Sequence, residues 1–510
     1  MCKRVMTLLL IPFLLFYGQS AKAAEKEERT WQDEIIYFIM VDRFNNGDKK
    51  NDYNVDPTNL KAYNGGDLQG IIERLDYIQK MGFTAICLTP VVDNEEGGYH
   101  GYWPNDYFKV EEHFGSMKDL KQLVKEVHKR DMKIILDFVG NHTGYKHPWL
   151  NDPTKKDWYH EKQPILGEDQ QSVENGWLAG LPDLKQENPE VKKFLIDNAK
   201  WWIRQTDVDG FRLDAVKHVP KEFWSEFSKE VKSVKPNFFL MGEVSNNDPT
   251  YIAAYEETGI DAFLNFPYQK EITDAFGKPD VSADRLYNEW KRDEQFYKNP
   301  YMLGTFIDNH DVKRFTRVAK ENKYYPPTRL KLALTYLYTS PGIPIVYYGT
   351  EIALDGGEAP DNRRLMDFNT DEKFLGFITK LGELRNQLPA LRRGTFDLLY
   401  DKDGMSVFKR TYKNETIVVA INNTTKAQKV HFTTEQLETN KELRGLLEDD
   451  LVRSEKDGYT LVIDREKANV YALAEKTGLN LPFIFSLIGM CVLFIIFILL
   501  VKRKSREHKQ

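Results

Sequence analysis

Three carboxylates stand just beyond short apolar runs that lie far apart in the chain. Asp214 follows Gly210–Leu213, Glu243 follows the run 238–242, and Asp311 closes the segment Asp308-Asn309-His310-Asp311 after the run 303–307. A fourth run, Lys133–Phe138, holds Asp137 and leads into Asn141-His142, while Arg212 precedes Asp214 and Lys217-His218 follow it. Taken singly, an Asp in such a place is an ordinary helix N-cap. Six polar groups arriving together from four strand ends (Asp214, Glu243, Asp311, His142, Arg212 and His310) call for a chemical reason. Two carboxylates facing each other at short range can cleave a glycosidic bond with retention: one attacks the anomeric carbon and the other protonates the departing oxygen.

A scaffold must bring these strand ends to one face. From residue 34 to 387, apolar runs at 35–41, 84–88, 133–138, 210–213, 238–242, 262–266, 303–307 and 343–347 alternate with longer amphipathic stretches. The runs show no polar alternation, the pattern of parallel strands buried on both faces. Helical stripes lie between them, such as Leu120, Leu123, Val124 and Val127, or Phe223, Phe227, Val231 and Val234. Asn188-Pro189 supplies an N-cap and a first-turn proline for another helix. Eight β-then-α units predict an α/β fold, a closed (β/α)8 TIM barrel over residues 24–142 and 184–387, with its chemistry at the C-terminal strand ends. The long polar interruption 143–183 after the third strand predicts an excursion domain overhanging that face. Past residue 388 the pattern turns to period two, at 406–412, 416–422, 429–432, 459–463 and 470–474, which predicts a C-terminal antiparallel β-sandwich over 388–474.

Composition bounds the rest. A chain of 510 residues needs more than one core. Its net charge of −6 argues against a nucleic-acid partner, which wants a basic face. Aromatic residues make up 13% of the chain, enough to fill cores and still leave rings for sugar stacking. Lys3-Arg4, an apolar run and Ala21-Lys22-Ala23 read as a signal peptide over 1–23. The linker 475–480 leads to an apolar stretch, 481–501, long enough to cross a bilayer as one helix. The basic tail 502–510 marks the cytoplasmic side, so the expected placement is an exported, single-pass cell-membrane protein with its catalytic domain outside. Only Cys2, Cys87 and Cys491 occur, so the exported part cannot form an internal disulfide and must draw stability from core size or bound ions.

The segments DFVGNH (137–142), GFRLDAVKH (210–218), MGEV (241–244) and FIDNHD (306–311), in that order and spacing, resemble the four signature regions of the α-amylase family of glycoside hydrolases. YHGYWPNDYF (99–108) and LPDL (181–184) match two further family segments, and LPDL with the adjacent pair Trp201-Trp202 is similar to a subgroup of bacterial α-amylases. The resemblance implies Asp214 as nucleophile, Glu243 as general acid/base and Asp311 as the third carboxylate gripping sugar hydroxyls. Arg212 then lies beside the nucleophile, held by Asp137 and favouring its ionised form, and Glu243 must carry a proton at the working pH. It further implies that His142 and His310 donate to ring hydroxyls. Tyr102 stacks under the ring, His100 and Trp103 continue the non-reducing side, and Lys217 and His218 meet the leaving side. Arg363 resembles a sugar-contacting arginine after the eighth strand, although Ala359 stands where many relatives carry Asp. Trp201-Trp202 reads first as helix-to-barrel packing.

Two Ca²⁺ sites are expected. Asn46, Asp48, Asn51 and Asp52, with Gly65 and Asp67, supply hard oxygens at a density that suits this ion, in a loop similar to a calcium loop of cyclodextrin-forming relatives. The resemblance places a second site at Asn141, Asp183 and the backbone carbonyl of His218, with one more ligand from the excursion, Asp169 or Glu174. The reading that follows is a retaining endo-α-amylase acting on starch, related glucans and maltooligosaccharides, with no protein partner predicted. A cyclodextrin- or pullulan-cleaving hydrolase, a transglycosylase and a non-catalytic glucan receptor are the alternatives.

Overall fold

The apolar runs fold as eight parallel strands, β1 (Ile36–Ile39), β2 (Ala85–Leu88), β3 (Lys133–Phe138), β4 (Gly210–Leu213), β5 (Phe239–Gly242), β6 (Ala262–Phe263), β7 (Gly304–Phe306) and β8 (Ile343–Tyr347). The computed structural model describes residues 28–369, 371–438, 440–476 and 481–507. The signal peptide expected at 1–23 lies outside these residues, as do 477–480 of the linker and 508–510 of the tail. Every residue of β1–β8 is buried except Lys133, which is half-buried; that is why the runs lack alternation. The strands pair in the order β6-β5-β4-β3-β2-β1-β8-β7, and a parallel bridge from Leu264 to Gly304 closes the ring. The chain is a (β/α)8 barrel.

Two strands are shorter than the apolar runs that announced them. β1 stops at Ile39 because Val41–Phe44 turns into a helix around the Asp42–Arg43 ion pair. β6 keeps two residues because Asn265 caps the helix Phe266–Phe276, its side chain accepting from the Tyr268 amide. The predicted helices form as expected. Met117–Lys129 buries Leu120, Leu123, Val124 and Val127 behind a Ser116/Asp119 capping box, and Lys221–Val234 buries Phe223, Trp224, Phe227 and Val231, with Val234 half-buried.

Two insertions rise from the C-terminal rim. After β2 an unforeseen hairpin pairs Val92–Asn94 with Pro104–Val110, and its loop carries His100, Tyr102 and Trp103. Gly101 in that loop has φ +91°, and a Cβ there would sit 2.3 Å from the Pro90 carbonyl oxygen, so the turn requires glycine. After β3 the excursion runs through short helices and is tied at its base by bridges His142–Asp183 and Tyr159–Leu184. Trp202 is buried and donates to the Tyr107 carbonyl of the hairpin at 2.9 Å, while Trp201 packs edge-on against Phe108; the pair is packing.

The C-terminal unit has strands β9 (Asp397–Lys402), β10 (Met405–Tyr412), β11 (Glu415–Asn422), β12 (Gln428–Thr433), β13 (Lys441–Gly445), β14 (Leu451–Arg453), β15 (Gly458–Ile463) and β16 (Lys467–Glu475). The sheet β9-β10-β11-β16-β13-β14 faces the pair β12-β15. Phe408, Ile417, Val419 and Val470 on one face join the barrel core, while Val407, Val418 and Tyr471 on the other pack against Phe432, Tyr459 and Leu461. β9, β13 and β14 were not foreseen: β9 and β14 are edge strands, and β13 (Lys-Glu-Leu-Arg-Gly) is charged, its buried Glu442 neutralised by Arg444 at 2.9 Å. Beyond the sheet, Leu481–Glu507 is one helix whose 18-residue stretch Phe485–Lys502 has mean hydropathy 2.7 and no buried residue. It is long and apolar enough to cross a membrane.

Candidate active site

Strand register sets the geometry. Asp137 stands opposite Arg212 and Leu213 opposite Gly242, so Asp214 and Glu243 leave neighbouring strands at the same level. Adjacent strands lie about 4.8 Å apart, and the Glu243 amide donates to the Leu213 carbonyl at 2.9 Å. Asp214 is followed by Ala215 in the left-handed region (φ +51°, ψ +39°), a strained turn for a residue with a Cβ. The turn aims the Ala215 amide at Glu243 Oε2, 3.2 Å away.

Arg212 is the hub. Its Nη1 meets Asp137 Oδ2 at 2.5 Å and Asp214 Oδ1 at 3.2 Å, and its Nη2 meets Glu243 Oε1 at 2.7 Å. Tyr102 donates its hydroxyl to the same Asp137 oxygen at 2.7 Å. Three buried carboxylates thus share one guanidinium, one positive charge against three potential negative ones. Burial pushes the Asp214 carboxyl well above the usual range and the Glu243 charge adds to the push, with Arg212 opposing. Burial likewise lifts Asp137 to about 7 against the pull of Arg212. Arg212 favours the ionised form of Asp214, as expected from the sequence, but burial and the Glu243 charge outweigh it, and the guanidinium lies nearer Glu243 than Asp214.

Asp311 differs from these. Its side chain is 46% exposed and reaches Arg363 Nη2 at 3.4 Å and His310 Nε2 at 3.2 Å. The His310 ring stacks on Tyr102 with centroids 5.0 Å apart and planes 2° apart. Burial holds the His142 imidazole down at about 4, hence neutral near pH 7; its Nε2 donates to the Tyr102 carbonyl at 3.0 Å and its Nδ1 accepts from Asn141 at 3.3 Å. Both nitrogens of His142 are engaged within the protein, whereas His310 keeps an unpartnered, buried Nδ1.

A cleft of about 670 Å³ opens over this floor. His100, Tyr102, His142, Asp214, Lys217, His218, Glu243, His310, Asp311 and Arg363 all line it, and Arg212 lies beneath. Trp103 stands behind His100, edge-on at 4.7 Å, instead of lining the cleft. Lys217 is held by the Ser245 carbonyl at 2.8 Å, and the His218 ring by the Val173 carbonyl of the excursion at 2.9 Å. Sequence reading missed Leu178, Ala179 and Leu181 on the excursion lip, and Asn246, Asn247, Gln269 and Lys270 beyond β5 and β6. Leu178, Ala179 and Leu181 belong to the excursion, Asn246 and Asn247 to the loop after β5, and Gln269 and Lys270 to the helix Phe266–Phe276, none of them beside a strand-end motif; only the length of the excursion signalled any of them.

The expected ion ligands differ in how far their hydrogen-bonding capacity is met. Asn141 Oδ1 and Asp183 Oδ1 are buried with no hydrogen-bond partner, as hard-cation ligands would be. The other Asp183 oxygen takes His160 Nδ1 at 2.6 Å, a residue the sequence reading passed over. Of the two further candidates, Asp169 caps the helix Gln170–Asn175, and Glu174 accepts from Gln170. In the first loop Asn46 bonds both Asp52 oxygens, Asp48 accepts from the Lys50 amide, and Asp67 accepts from the Gly47, Asp48 and Gly70 amides. Asn51 Oδ1 there is buried and unpartnered, and Gly65 (φ +94°) turns the chain past Asn46 and Asp52. No group of three His, Cys, Asp or Glu that could hold a metal occurs among the described residues, so any ion here relies on amide and carbonyl oxygens as well.

Comparison with known proteins bears on the assignment. The family model for the α-amylase catalytic domain matches residues 38–380, and that for the α-amylase C-terminal domain matches 394–471. The chain belongs to the α-amylase family. An α-amylase structure from Anoxybacillus is 67% identical, superimposes with a TM-score of 0.88, and is matched over 89% of this chain and 100% of that one. A beta/alpha-amylase of Paenibacillus polymyxa is 40% identical over 415 residues, 78% of this chain; the chain spans only 34% of that relative's length. A cyclomaltodextrinase of Thermoanaerobacter pseudethanolicus is 34% identical over 78% of this chain and 71% of that protein. The chain is thus an α-amylase-family glycoside hydrolase, and its strand-end carboxylates Asp214, Glu243 and Asp311 open onto the cleft.

Proposed function

We propose that this enzyme hydrolyses internal α-1,4-glucosidic bonds of starch and related glucans with retention. Asp214 serves as nucleophile, Glu243 as acid and then base, and Asp311 with Arg363 grips hydroxyls of the distorted ring. The observation that carries the reading is the Arg212-bridged pair Asp214 and Glu243 at the tips of adjacent strands under an open cleft. Burial and the neighbouring Glu243 charge push the Asp214 carboxyl well above the usual range before substrate arrives. Turnover requires Asp214 ionised, which Arg212 at 3.2 Å favours, and the proton on Glu243. Asp214 then attacks C1 while Glu243 protonates the leaving oxygen, and the deprotonated Glu243 activates the water that releases the sugar. The Anoxybacillus likeness favours α-amylase over cyclomaltodextrinase. Product analysis decides: linear starch is cut early into mixed oligosaccharides, with cyclodextrin and pullulan turned over far more slowly. Preference for cyclodextrin overturns the endo-amylase reading, and inertness on all three overturns catalysis itself.

Ca²⁺ is proposed at both oxygen-rich places: Asn141, Asp183 and the His218 carbonyl, and the loop with Asn46, Asp48, Asn51, Asp52, Gly65 and Asp67. When bound it supplies electrostatic cross-linking of the excursion and rim to the barrel. Ions bound only by the native state stabilise it by linkage, ~2.7 kcal/mol per site at a hundredfold excess over the dissociation constant. Chelator therefore lowers the melting temperature by several degrees, and Asp183→Ala shrinks that shift. An unchanged melting curve in excess chelator removes both sites.

Placement outside the cell is proposed from the exposed apolar helix and the basic residues that end it, Lys502, Arg503, Lys504 and Arg506. Protease added to intact cells releases an active fragment ending near Glu475. Full-length chain found wholly in the medium, with none in membranes, contradicts the anchor.

A further inference from the structure

Arg43 has no part in the chemistry above, yet it is fully buried beneath the rim. A guanidinium taken out of water is costly unless its donors are met, and those of Arg43 are met from three directions. Nε donates to Asp42 Oδ2 at 2.6 Å, Nη1 to the Arg363 carbonyl at 3.0 Å, and Nη2 to the Leu60 and Ala62 carbonyls at 2.9 and 2.8 Å. Asp42 in turn accepts from the Asn64 amide at 2.8 Å and the Gly65 amide at 3.2 Å. The guanidinium carbon sits 3.9 Å from the ring centroid of Tyr99, and the Tyr99 hydroxyl faces Arg363 Nη1 at 3.5 Å. Arg363 donates through Nε to the His310 carbonyl at 3.0 Å and pairs with Asp311.

We propose that Arg43 is a positioning residue for the Arg363–Asp311 end of the cleft, holding the 60–65 loop and the Arg363 backbone at its edges and the Tyr99 ring against its face. The proposal rests on the reading of Arg363 and Asp311 as sugar-gripping groups. Its physical core is the planar fork: three directions of hydrogen bonding and a stacking face belong to arginine, whereas lysine offers a point charge. Tyr99 and the Arg363 backbone are the two routes by which a shift of Arg43 reaches the Arg363 side chain. A misplacement of about 1 Å in such a group costs up to ~10²-fold in rate.

The test is a double-mutant cycle on the full-length enzyme in detergent, with kcat and KM measured on a maltooligosaccharide. Arg43→Lys and Arg363→Lys are each expected to lower kcat/KM by about tenfold or more, and the double variant to be no worse than Arg363→Lys alone, since Arg43 acts through Arg363. Tyr99→Phe keeps the ring under Arg43 and removes only the hydroxyl that faces Arg363; it is expected to raise KM severalfold with an unchanged melting temperature, and Asp42→Asn, which loosens the Nε anchor of Arg43, replaces Arg43→Lys in the cycle should that variant not fold. Additive losses in the cycle, or a lowered melting temperature with kcat and KM unchanged, overturn the positioning role alone. An Arg363→Lys variant with wild-type kcat/KM overturns the gripping role of Arg363, and the positioning role with it.

Discussion

Asp214→Asn abolishes turnover of starch while leaving oligosaccharide binding intact, because the fold, Arg212 and the cleft walls remain and only the attacking atom is lost. The loss is at least as large as the ~10²–10⁴-fold that removal of a positioned general acid/base costs. Glu243→Gln is nearly as inactive for another reason: it can neither protonate the leaving oxygen nor activate water. The two variants separate on a glycosyl fluoride, whose leaving group needs little protonation. Glu243→Gln still forms the covalent intermediate, and azide, needing no base, resolves it to the α-glycosyl azide. Asp214→Asn gives no retained azide product. Equal rescue of both variants, or of neither, contradicts the assignment of roles.

Arg212→Gln produces the second large effect, on stability as well as rate. Arg212 is the shared cation of buried Asp137, Asp214 and Glu243. Leaving buried charges uncompensated costs about 3–5 kcal/mol. The pH dependence has a definite sign. Asp214 and Asp137 have folded-state values raised above the ordinary 3.8, Asp137 to about 7. Between those values the folded chain binds more protons than the unfolded one, so these groups make stability fall as pH rises. Removing Arg212 raises the values further, so the penalty is small near pH 5 and larger near pH 8. Melting curves at the two pH values check this; a penalty that shrinks with rising pH contradicts the shared-cation account.

The barrel was legible because its strands are buried on both faces, and continuous apolar runs such as Lys133–Phe138 and Ile343–Tyr347 have no other ready explanation. The chemistry was legible for a related reason. Strand ends are fixed points, so Asp214, Glu243 and Asp311 declared themselves by following apolar runs. What escaped was set by tertiary context. The hairpin Val92–Asn94 with Pro104–Val110 has half-exposed, irregular pairing and reads as loop, although it carries Tyr102 onto Asp137. Lys441–Gly445 is charged and is a strand through its pairing with β14 and β16, with Glu442 paired to Arg444. His160 beside Asp183, and Arg43 under Arg363, are joined to the site across 23 and 320 residues of chain, a separation that no local pattern encodes.

Among all these consequences, the double displacement at Asp214 is the central claim, and the anomeric configuration of freshly cut chains reads it directly. Two inversions at C1 leave the new reducing end in the α-configuration. Proton nuclear magnetic resonance during the first minutes of maltooligosaccharide hydrolysis, before mutarotation, distinguishes the anomeric signals. The α-anomer accumulating first, with β appearing only as mutarotation proceeds, is the expected result. Initial release of the β-anomer contradicts the account and makes Asp214 a base that activates water instead of a nucleophile.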